Sequence, residues 1–274
     1  MKTTFDRLIY LKLGGSLVTD KDKECTPRIP TIRRLAAEIS QFHNTSPRTA
    51  ILVGHGAGSY GHVQAVRNNL QLGGHNAVSW PGVLEVAKAI SQLNRIIHEE
   101  LLHVGLQTSA YHPSATAVCH NGHLRTLDAT SIRHSLDRNI IPLIHGDICF
   151  DEIRGASIVS TETIFVYLSK AFTPATIYIA GVDEGVYTTY PDGDIIPVIS
   201  NSSNTTLFND ITESRSPDVT GGMKSKVQEM LNLIDHYPKV TVHIFSATQP
   251  ESLIDTLNGK PTNGTVISDN HTYS

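Results

Sequence analysis

Apolar and polar positions alternate along this chain in blocks that predict strands followed by helices. The apolar runs 8–13 and 50–53 have the length of buried strands, and helical spacing of apolar residues follows. Pro30 opens a predicted helix that continues to about Phe42, and a longer helix is predicted over 81–104. The other predicted elements are strands over 108–111, 140–144, 176–180, 241–245 and 264–267, helices over 161–172, 221–237 and 250–257, and a hairpin over 185–198.

This alternation predicts an α/β fold with an open, mainly parallel sheet sandwiched between helices. No internal repeat, low-complexity tract or long linker divides the sequence, so we expect a single domain over residues 1–274. The most polar stretch, 200–217, is rich in Ser, Thr and Asn. It fits either a mobile loop over a ligand or a plain surface loop.

Composition excludes several classes of function. Of the 274 residues, 39% are hydrophobic and 18% charged, as in ordinary soluble proteins, and the net charge of −4 gives no general attraction to nucleic acid or an anionic membrane. The three cysteines form no CxxC pair, which favours reduced thiols over a disulfide framework. The N-terminus lacks the apolar stretch of a signal peptide, and we expect a cytoplasmic protein.

Two glycine-rich segments directly follow the first two predicted strands. The segment 12–16 reads Lys-Leu-Gly-Gly-Ser, and the segment 54–62 reads Gly-His-Gly-Ala-Gly-Ser-Tyr-Gly-His. Glycines at strand ends let backbone N–H groups approach an anion closely. Lys12 lies inside an apolar strand end, where an unpaired cation is expensive, so we expect it to face a bound anion rather than a structural carboxylate. The two loops together predict a site for phosphoryl transfer.

Residues 56–61 also match the dinucleotide fingerprint GxGxxG, but the match is weak. That fingerprint requires an acidic residue about 20 positions later, after the next strand, whereas the region 75–85 is rich in His, Asn and Gly. At the end of this loop, His62 either packs as a structural histidine or hydrogen-bonds an oxyanion; its neighbouring backbone donors favour the oxyanion.

Two later segments contain further candidates. Residues 218–226, Asp-Val-Thr-Gly-Gly-Met-Lys-Ser-Lys, predict a helix whose N-terminus could bind a phosphate with help from Lys226. The alternative is a simple helix cap with two exposed lysines. Residues 179–187 form an apolar strand that ends in Gly and Asp, where open α/β sheets bind ligands.

The 14 histidines raise the question of a metal site. His120 and His123 have usable spacing, but they lie in a polar turn, and we expect no cysteine or acidic partner to complete a site there. We interpret residues 120–123 as a solvated hairpin turn and predict no dedicated metal-ligand cluster.

Taken in order, these four segments resemble the amino acid kinase superfamily. Within it, the segments 12–21, 58–62 and 145–147 are similar to isopentenyl phosphate kinases, which phosphorylate isopentenyl phosphate with ATP. The loop histidine separates these enzymes from kinases that act on carboxylates or UMP, although fosfomycin kinases share it. The resemblance spans about residues 8–267.

The resemblance implies roles at individual positions. The implied catalytic residues are Lys12, Lys21, His62 and Lys226. The implied ATP contacts are Lys12, Leu13, Gly14, Gly15, Ser16, Gly58, Asp183, Tyr187, Gly222 and Lys226. The implied contacts to the acceptor phosphate are Ala57, Gly61, His62, Gly146 and Thr161. Glu162 falls where the superfamily often has an aspartate that aligns the lysines.

The resemblance also implies Mg²⁺ arriving with ATP, a homodimer, and two lobes within the domain: residues 1–172 for the acceptor and 173–274 for the nucleotide. The isoprenoid tail needs an apolar pocket. The candidate residues for it are Val83, Val86, Ala87 and Ile90, for which ordinary core packing is the alternative. Two other functions stay open: a kinase for another small phosphate or phosphonate such as fosfomycin, and a nucleotide-binding sensor without catalysis.

Overall fold

The computed structural model describes residues 5–61, 79–200, 222–261 and 263–269. Of the polar stretch 200–217, only Ser200 is among the described residues. His62 lies outside them. The strands are β1 Arg7–Leu13, β2 Thr49–His55, β3 Thr108–Ala110, β4 Ala117–His120, β5 His123–Leu127, β6 Ile141–His145, β7 Asp147–Asp151, β8 Gly155–Val159, β9 Thr176–Gly181, β10 Val198–Ile199, β11 Thr241–Ser246 and β12 Thr265–Ile267. The helices are α1 Gly15–Val18, α2 Ile29–Thr45, α3 Trp80–His103, α4 Thr130–Leu136, α5 Thr161–Ser169, α6 Gly222–His236 and α7 Ser252–Leu257, and a 3₁₀ turn spans Pro113–Ala115.

Eight strands form one sheet in the order β10-β12-β11-β9-β1-β2-β6-β3. In the described part of the chain, β11 and β12 pair antiparallel, and the other neighbours in this sheet are parallel. This confirms the predicted open, mainly parallel sheet. Because β1, β2, β6 and β9 run in the same direction, their carboxyl ends meet at one edge of the sheet, where ligands bind in such folds.

Alternate residues of β1 face opposite sides of the sheet, as the continuous apolar run requires. Leu8 and Tyr10 pack in one core cluster with residues of α4, α5 and α6. Ile9 and Leu11 pack in the second cluster with residues of α2, α3 and α7. Helices thus cover both faces. No helix in the described ranges is long and apolar enough to cross a membrane.

A second sheet, in the order β5-β4-β7-β8, was not predicted. Its strands have four or five residues, and several are half exposed, so they lack a continuous apolar run. The turn at residues 120–123 is confirmed as a hairpin between β4 and β5. There His120 Nδ1 lies 2.8 Å from a carboxylate oxygen of Glu152, an acidic neighbour that the sequence did not reveal.

The predicted hairpin over 185–198 is reduced to a single antiparallel bridge between Tyr187 and Ile195. Hydrogen bonds from Thr188 N to Asp194 O and from Ile196 N to Val186 O flank this bridge. The helix predicted over 161–172 ends earlier, at Ser169, since the backbone then forms a tighter turn before a proline. The expected lobe boundary at residue 172 falls between α5 and β9, and the division of labour between the lobes stays a prediction.

Candidate active site

The two glycine-rich segments lie against each other at the carboxyl edge of the sheet. Strands β1 and β2 are parallel neighbours in which Lys12 aligns with Gly54. A Cβ on Gly15 would lie 2.4 Å from the backbone nitrogen of Gly58. Gly58 itself has a φ of +51°, and a Cβ there would lie 2.1 Å from Thr19 Oγ1. Only glycine allows this approach, which brings the two predicted phosphate loops into direct contact.

Thr19 fastens the two loops together, and sequence analysis did not identify it. Its hydroxyl donates to Gly15 O at 2.7 Å and accepts from the Ser59 backbone N–H at 3.0 Å. Thr19 is fully buried. Because one hydroxyl satisfies groups from both loops, it fixes the distance between them. Thr19 and Ser59 are 40 residues apart, so no local sequence pattern predicts their hydrogen bond.

Lys12 forms a buried ion pair with Glu162 at the start of α5. The ammonium group hydrogen-bonds Glu162 Oε1, and the two residues are 6% and 1% exposed. Lys12 therefore has a structural carboxylate partner, contrary to the expectation that it would face only a bound anion. The physical reason is the burial of its cation, which needs compensation inside the protein. An ammonium group has three donors, so this pair still permits contact with a phosphate.

Glu162 also interacts electrostatically with a second lysine, Lys226. Burial alone would raise its pKa, but Lys12, followed by Lys226, outweighs that effect and holds the pKa below its usual value. Ser160 caps the helix by accepting from Thr163 N at 2.9 Å, which sets the direction of the first turn. Glu162 thus hydrogen-bonds Lys12 and lies within the electrostatic influence of Lys226, and its alignment role stays a prediction.

A second carboxylate, Glu229, joins this cluster from α6 and was missed. It lies one helical turn after the half-buried Lys226 and accepts from the Thr163 hydroxyl at 2.9 Å. Burial and then the negative charge of Glu162 raise the pKa of Glu229. Lys12, Lys226, Glu162 and Glu229 thus form a cluster of two lysines and two carboxylates.

The predicted acceptor residues Gly146 and Thr161 meet at the end of β2. Thr161 Oγ1 donates to His55 O at 2.7 Å, and Gly146 N donates to the same oxygen at 3.2 Å. Thr161 is buried. These bonds place the ends of β2 and β6 beside the first turn of α5, next to Glu162.

Two buried imidazoles stack at this edge of the sheet. The rings of His55 and His145 lie 5.4 Å apart, centroid to centroid. Burial, followed by the effect of His145, lowers the pKa of His55 to about 3, and burial also lowers the pKa of His145. His55 Nε2 and Nδ1 contact Asn94 Oδ1 and Gly56 O at 3.0 and 3.1 Å. His55 is therefore a neutral residue that supports the second loop.

The four candidates for the isoprenoid pocket do pack together near the acceptor loop. Val83, Val86 and Ile90 form a small buried cluster with Ile148, and Ala57 and Ala87 pack against it. A Cβ on Gly61 would lie 2.5 Å from Ala57 Cβ and 3.8 Å from Ile90 Cδ1. Ile148, two residues after Gly146, was not identified from the sequence. The cluster adjoins the second loop, and its role as a pocket stays a prediction.

The predicted nucleotide residues lie along the ends of β1 and β9. A Cβ on Gly14 would lie 2.9 Å from Ala180 O, so the first loop borders the strand that leads to Asp183. Asp183 and Tyr187 are half buried, as is Ser16, whereas Leu13 is buried. Gly222, with a φ of +68°, is the first residue of α6, and Lys226 follows it by one helical turn.

Two of the four implied catalytic residues are not placed against this cluster by the structure. Lys21 lies in an exposed turn after α1. His62 lies outside the described residues, one position beyond Gly61. Their roles in transfer stay predictions.

Comparison with known proteins agrees with this architecture. Residues 7–246 match the model of the amino acid kinase family. The isopentenyl phosphate kinase of Methanothermobacter thermautotrophicus is 30% identical over 276 residues, which cover 96% of this chain and 100% of that protein. The isopentenyl phosphate kinase of Haloferax volcanii is 33% identical, with 95% and 98% covered. A crystal structure of an isopentenyl phosphate kinase superimposes with a TM-score of 0.79 at 26% identity, covering 95% of this chain and 100% of the other. The chain belongs to the amino acid kinase family and, within it, groups with the isopentenyl phosphate kinases.

Proposed function

We propose that this protein transfers the γ-phosphoryl group of ATP to isopentenyl phosphate, giving isopentenyl diphosphate and ADP. The observation that carries the proposal is the contact between the two glycine loops beside the Lys12–Glu162 pair and Lys226. This arrangement places backbone donors and two cations at one point of the sheet edge. The family of the chain supplies the substrate class, since its curated relatives are named isopentenyl phosphate kinases.

The chemistry needs positioning and charge more than proton transfer. An oxygen of the acceptor phosphate attacks the γ-phosphorus, and the bond from that phosphorus to the β–γ bridging oxygen breaks, leaving ADP. A phosphate monoester is already anionic near pH 7, so the attack requires no general base. The barrier lies in the repulsion between two polyanions, which Lys12 and Lys226 reduce by neutralising charge on the transferring group.

Glu162 has a positioning role in this mechanism. Its carboxylate holds the Lys12 ammonium group in a buried place where a free cation would be costly. The same carboxylate attracts Lys226 from α6. Both cations are therefore oriented before ATP arrives, and the reorganisation needed at the moment of transfer is small.

The acceptor side is proposed to comprise the second loop and the strand ends around His55 O. Gly146 and Thr161 are tied to that oxygen, and Ala57 connects the loop to the apolar cluster of α3. A phosphate held there would direct an attached isoprenoid chain toward Val86 and its neighbours. His62 completes the phosphate contacts in this proposal.

Magnesium is proposed to enter with the nucleotide. Glu162 is hydrogen-bonded to Lys12, so we assign its carboxylate to the lysine and not to the ion. Mg²⁺ typically keeps several waters and takes its other ligands from phosphate oxygens. Bound in that way, it would screen the charge of the ATP phosphates.

A homodimer and a cytoplasmic location are further parts of the proposal, and light scattering of the purified protein tests the dimer.

A coupled assay of ADP release tests the substrate. Purified protein with Mg-ATP is offered isopentenyl, dimethylallyl and geranyl phosphates and fosfomycin, and isopentenyl phosphate is expected to give the highest kcat/KM. Faster turnover of fosfomycin would assign the protein to the alternative kinase class. Tight ATP binding without turnover of any acceptor would identify a sensor.

A pair of lysine variants tests the proposed centre. Lys12→Met is expected to lower kcat at least a hundredfold, as expected for loss of a charge that stabilises the transition state. Lys23→Met is the matched control, because Lys23 is exposed and pairs with Asp20 at 3.6 Å. Equal activity of the two variants would contradict the role of Lys12.

His62→Ala is expected to raise the KM for the acceptor while ATP still binds.

A further inference from the structure

Three side chains with metal-binding atoms converge at the end of β6, outside the lysine cluster. They are His145, the last residue of β6; Asp147, the first residue of β7; and His112, which precedes the 3₁₀ turn. One nitrogen of each imidazole and one carboxylate oxygen lie within 4.8 Å of one another. His145 and Asp147 are buried, and His112 is half buried. The catalytic proposal uses none of these three groups.

The hydrogen bonds of the two histidines bring one ring nitrogen of each to the same point. His145 Nδ1 lies 3.0 Å from Gly146 O, which can only accept, so Nδ1 carries the proton. His145 Nε2 then presents its lone pair toward His112 Nδ1, 3.0 Å away. Metal-binding histidines characteristically donate their other N–H to a backbone carbonyl in this way.

Two backbone N–H groups donate to the carboxylate of Asp147. Its two oxygens accept from Ser114 N at 3.0 Å and from Ile148 N at 2.9 Å. Each carboxylate oxygen has two lone pairs, so these bonds leave acceptor capacity for a metal ion. The same bond to Ser114 joins Asp147 to the turn that carries His112.

We propose that His112, His145 and Asp147 bind a divalent transition-metal ion, with Zn²⁺ as the best fit. Bonds of about 2.0–2.2 Å in a tetrahedral site place ligand atoms about 3.3 Å apart. The two imidazole nitrogens, at 3.0 Å, are already near that separation. The carboxylate oxygen, within 4.8 Å of them, needs to approach by at most about 1.5 Å. On binding, His112 moves its proton from Nδ1 to Nε2, and the ion takes the place of that proton between the rings.

The type of ligand selects the kind of ion. Imidazole nitrogens suit Zn²⁺, Co²⁺, Ni²⁺ and Fe²⁺, whereas Mg²⁺ and Ca²⁺ prefer sites made of oxygen atoms. Two histidines and one carboxylate also leave a coordination position for water or another ligand. The proposed ion is therefore distinct from the Mg²⁺ that accompanies ATP. Because His112 lies 33 residues before His145, sequence spacing gives no sign of the site.

A metal titration tests this site on the full-length protein without an affinity tag. Protein stripped with a chelator is titrated with Zn²⁺ against a chromogenic chelator, and one equivalent is expected to bind. Co²⁺ is expected to give the visible absorption bands of a low-coordinate site. Bound Zn²⁺ should also raise the melting temperature, because it links the turn to the strand end and stabilises the folded state by mass action.

Variants separate this site from adventitious binding. His112→Ala, at a half-buried position, is expected to weaken Zn²⁺ binding at least tenfold, and Asp147→Asn is expected to weaken it too. His134→Ala, at an exposed position of α4, and Cys25→Ser, at the half-buried thiol, are the controls and are expected to bind as the unmodified protein does. Failure of the unmodified protein to bind one equivalent overturns the proposal. Undiminished binding by a folded His112→Ala variant, with circular dichroism as the check on folding, also overturns it.

Discussion

We expect the loss of the buried ion pair between Lys12 and Glu162 to lower both the stability and the activity of this protein. Glu162→Gln removes one charge while keeping the shape of the side chain. Because Glu162 is 1% exposed and Lys12 is 6% exposed, water cannot replace the lost partner. Removing one member of a buried pair costs about 3–5 kcal/mol of unfolding free energy, since the other charge stays buried without compensation. At about 2 °C per kcal/mol for a chain of this length, the melting temperature should fall by about 6–10 °C.

The effect on catalysis should be separable from the effect on stability. Measured well below the melting temperature, Glu162→Gln is expected to lower kcat at least tenfold and to change both KM values little. The reason is that Lys12 and Lys226 lose the group that orients them, whereas the glycine loops that bind substrate are unchanged. Glu162→Asp keeps the charge and should recover part of kcat.

A matched control is available in a second charged pair away from the site. Glu100 is 8% exposed and accepts from Arg33 Nε at 3.1 Å, joining α3 to α2. The Arg33 side chain is 66% exposed, so water can solvate it when Glu100→Gln removes the partner. That variant should lose less stability and keep kcat. If Glu162→Gln kept its melting temperature within 1 °C and its kcat within twofold, the assigned role of Glu162 would be wrong.

Four further measurements test other parts of the structure. Thr19→Val leaves the Ser59 N–H without its acceptor, so chemical denaturation should show a loss of about 1–3 kcal/mol. Burial alone would raise the pKa of Asp151, but hydrogen bonds from both the β7–β8 turn and Gly122 of the β4–β5 turn, with the Ser157 hydroxyl, hold that pKa well below 3.8. Its stabilising effect is present above about pH 4 and is lost as the pH falls toward the folded-state pKa, so Asp151→Asn should lose about 3 kcal/mol at pH 7 and much less at pH 2. Ile148→Ala removes side-chain atoms from the apolar cluster and so leaves more space in it. In a substrate panel, the kcat/KM for geranyl phosphate relative to that for isopentenyl phosphate should rise about tenfold. Glu229, whose pKa is already raised, should take up a proton when a polyphosphate binds nearby, and calorimetry in buffers of different ionisation enthalpy should detect this uptake in the unmodified protein but not in Glu229→Gln.

Local patterns predicted the parts of the fold that are continuous in sequence. The apolar run at 8–13 gives β1 because a strand covered on both faces must be apolar throughout. Likewise Pro81 and the apolar face that follows it predict α3. The second sheet was missed because its strands are short and partly exposed, so its stability comes from packing between distant segments.

The same distinction applies to the candidate site. Lys12 was identified because a cation in an apolar strand is unusual in any local window. Glu162 was identified only as a position in a family pattern, and Thr19, Glu229 and His112 were missed. Each of these acts through a partner 33 or more residues away, or through a helix whose orientation is set by tertiary packing. Periodicity carries no information about such pairs.

The proposed function assigns the donor and the acceptor to different groups of the described residues. We expect the lysine and carboxylate cluster to treat any polyphosphate donor alike, because its parts are charges on β1, α5 and α6. In the same proposal, the acceptor is discriminated elsewhere, by the second loop and the apolar cluster that packs against Ala57. Thr19 joins the first glycine loop, which begins at Lys12, to the second glycine loop. A change in the apolar cluster should therefore alter which phosphate is accepted and leave the affinity for ATP unchanged. A change at Thr19 should weaken both together.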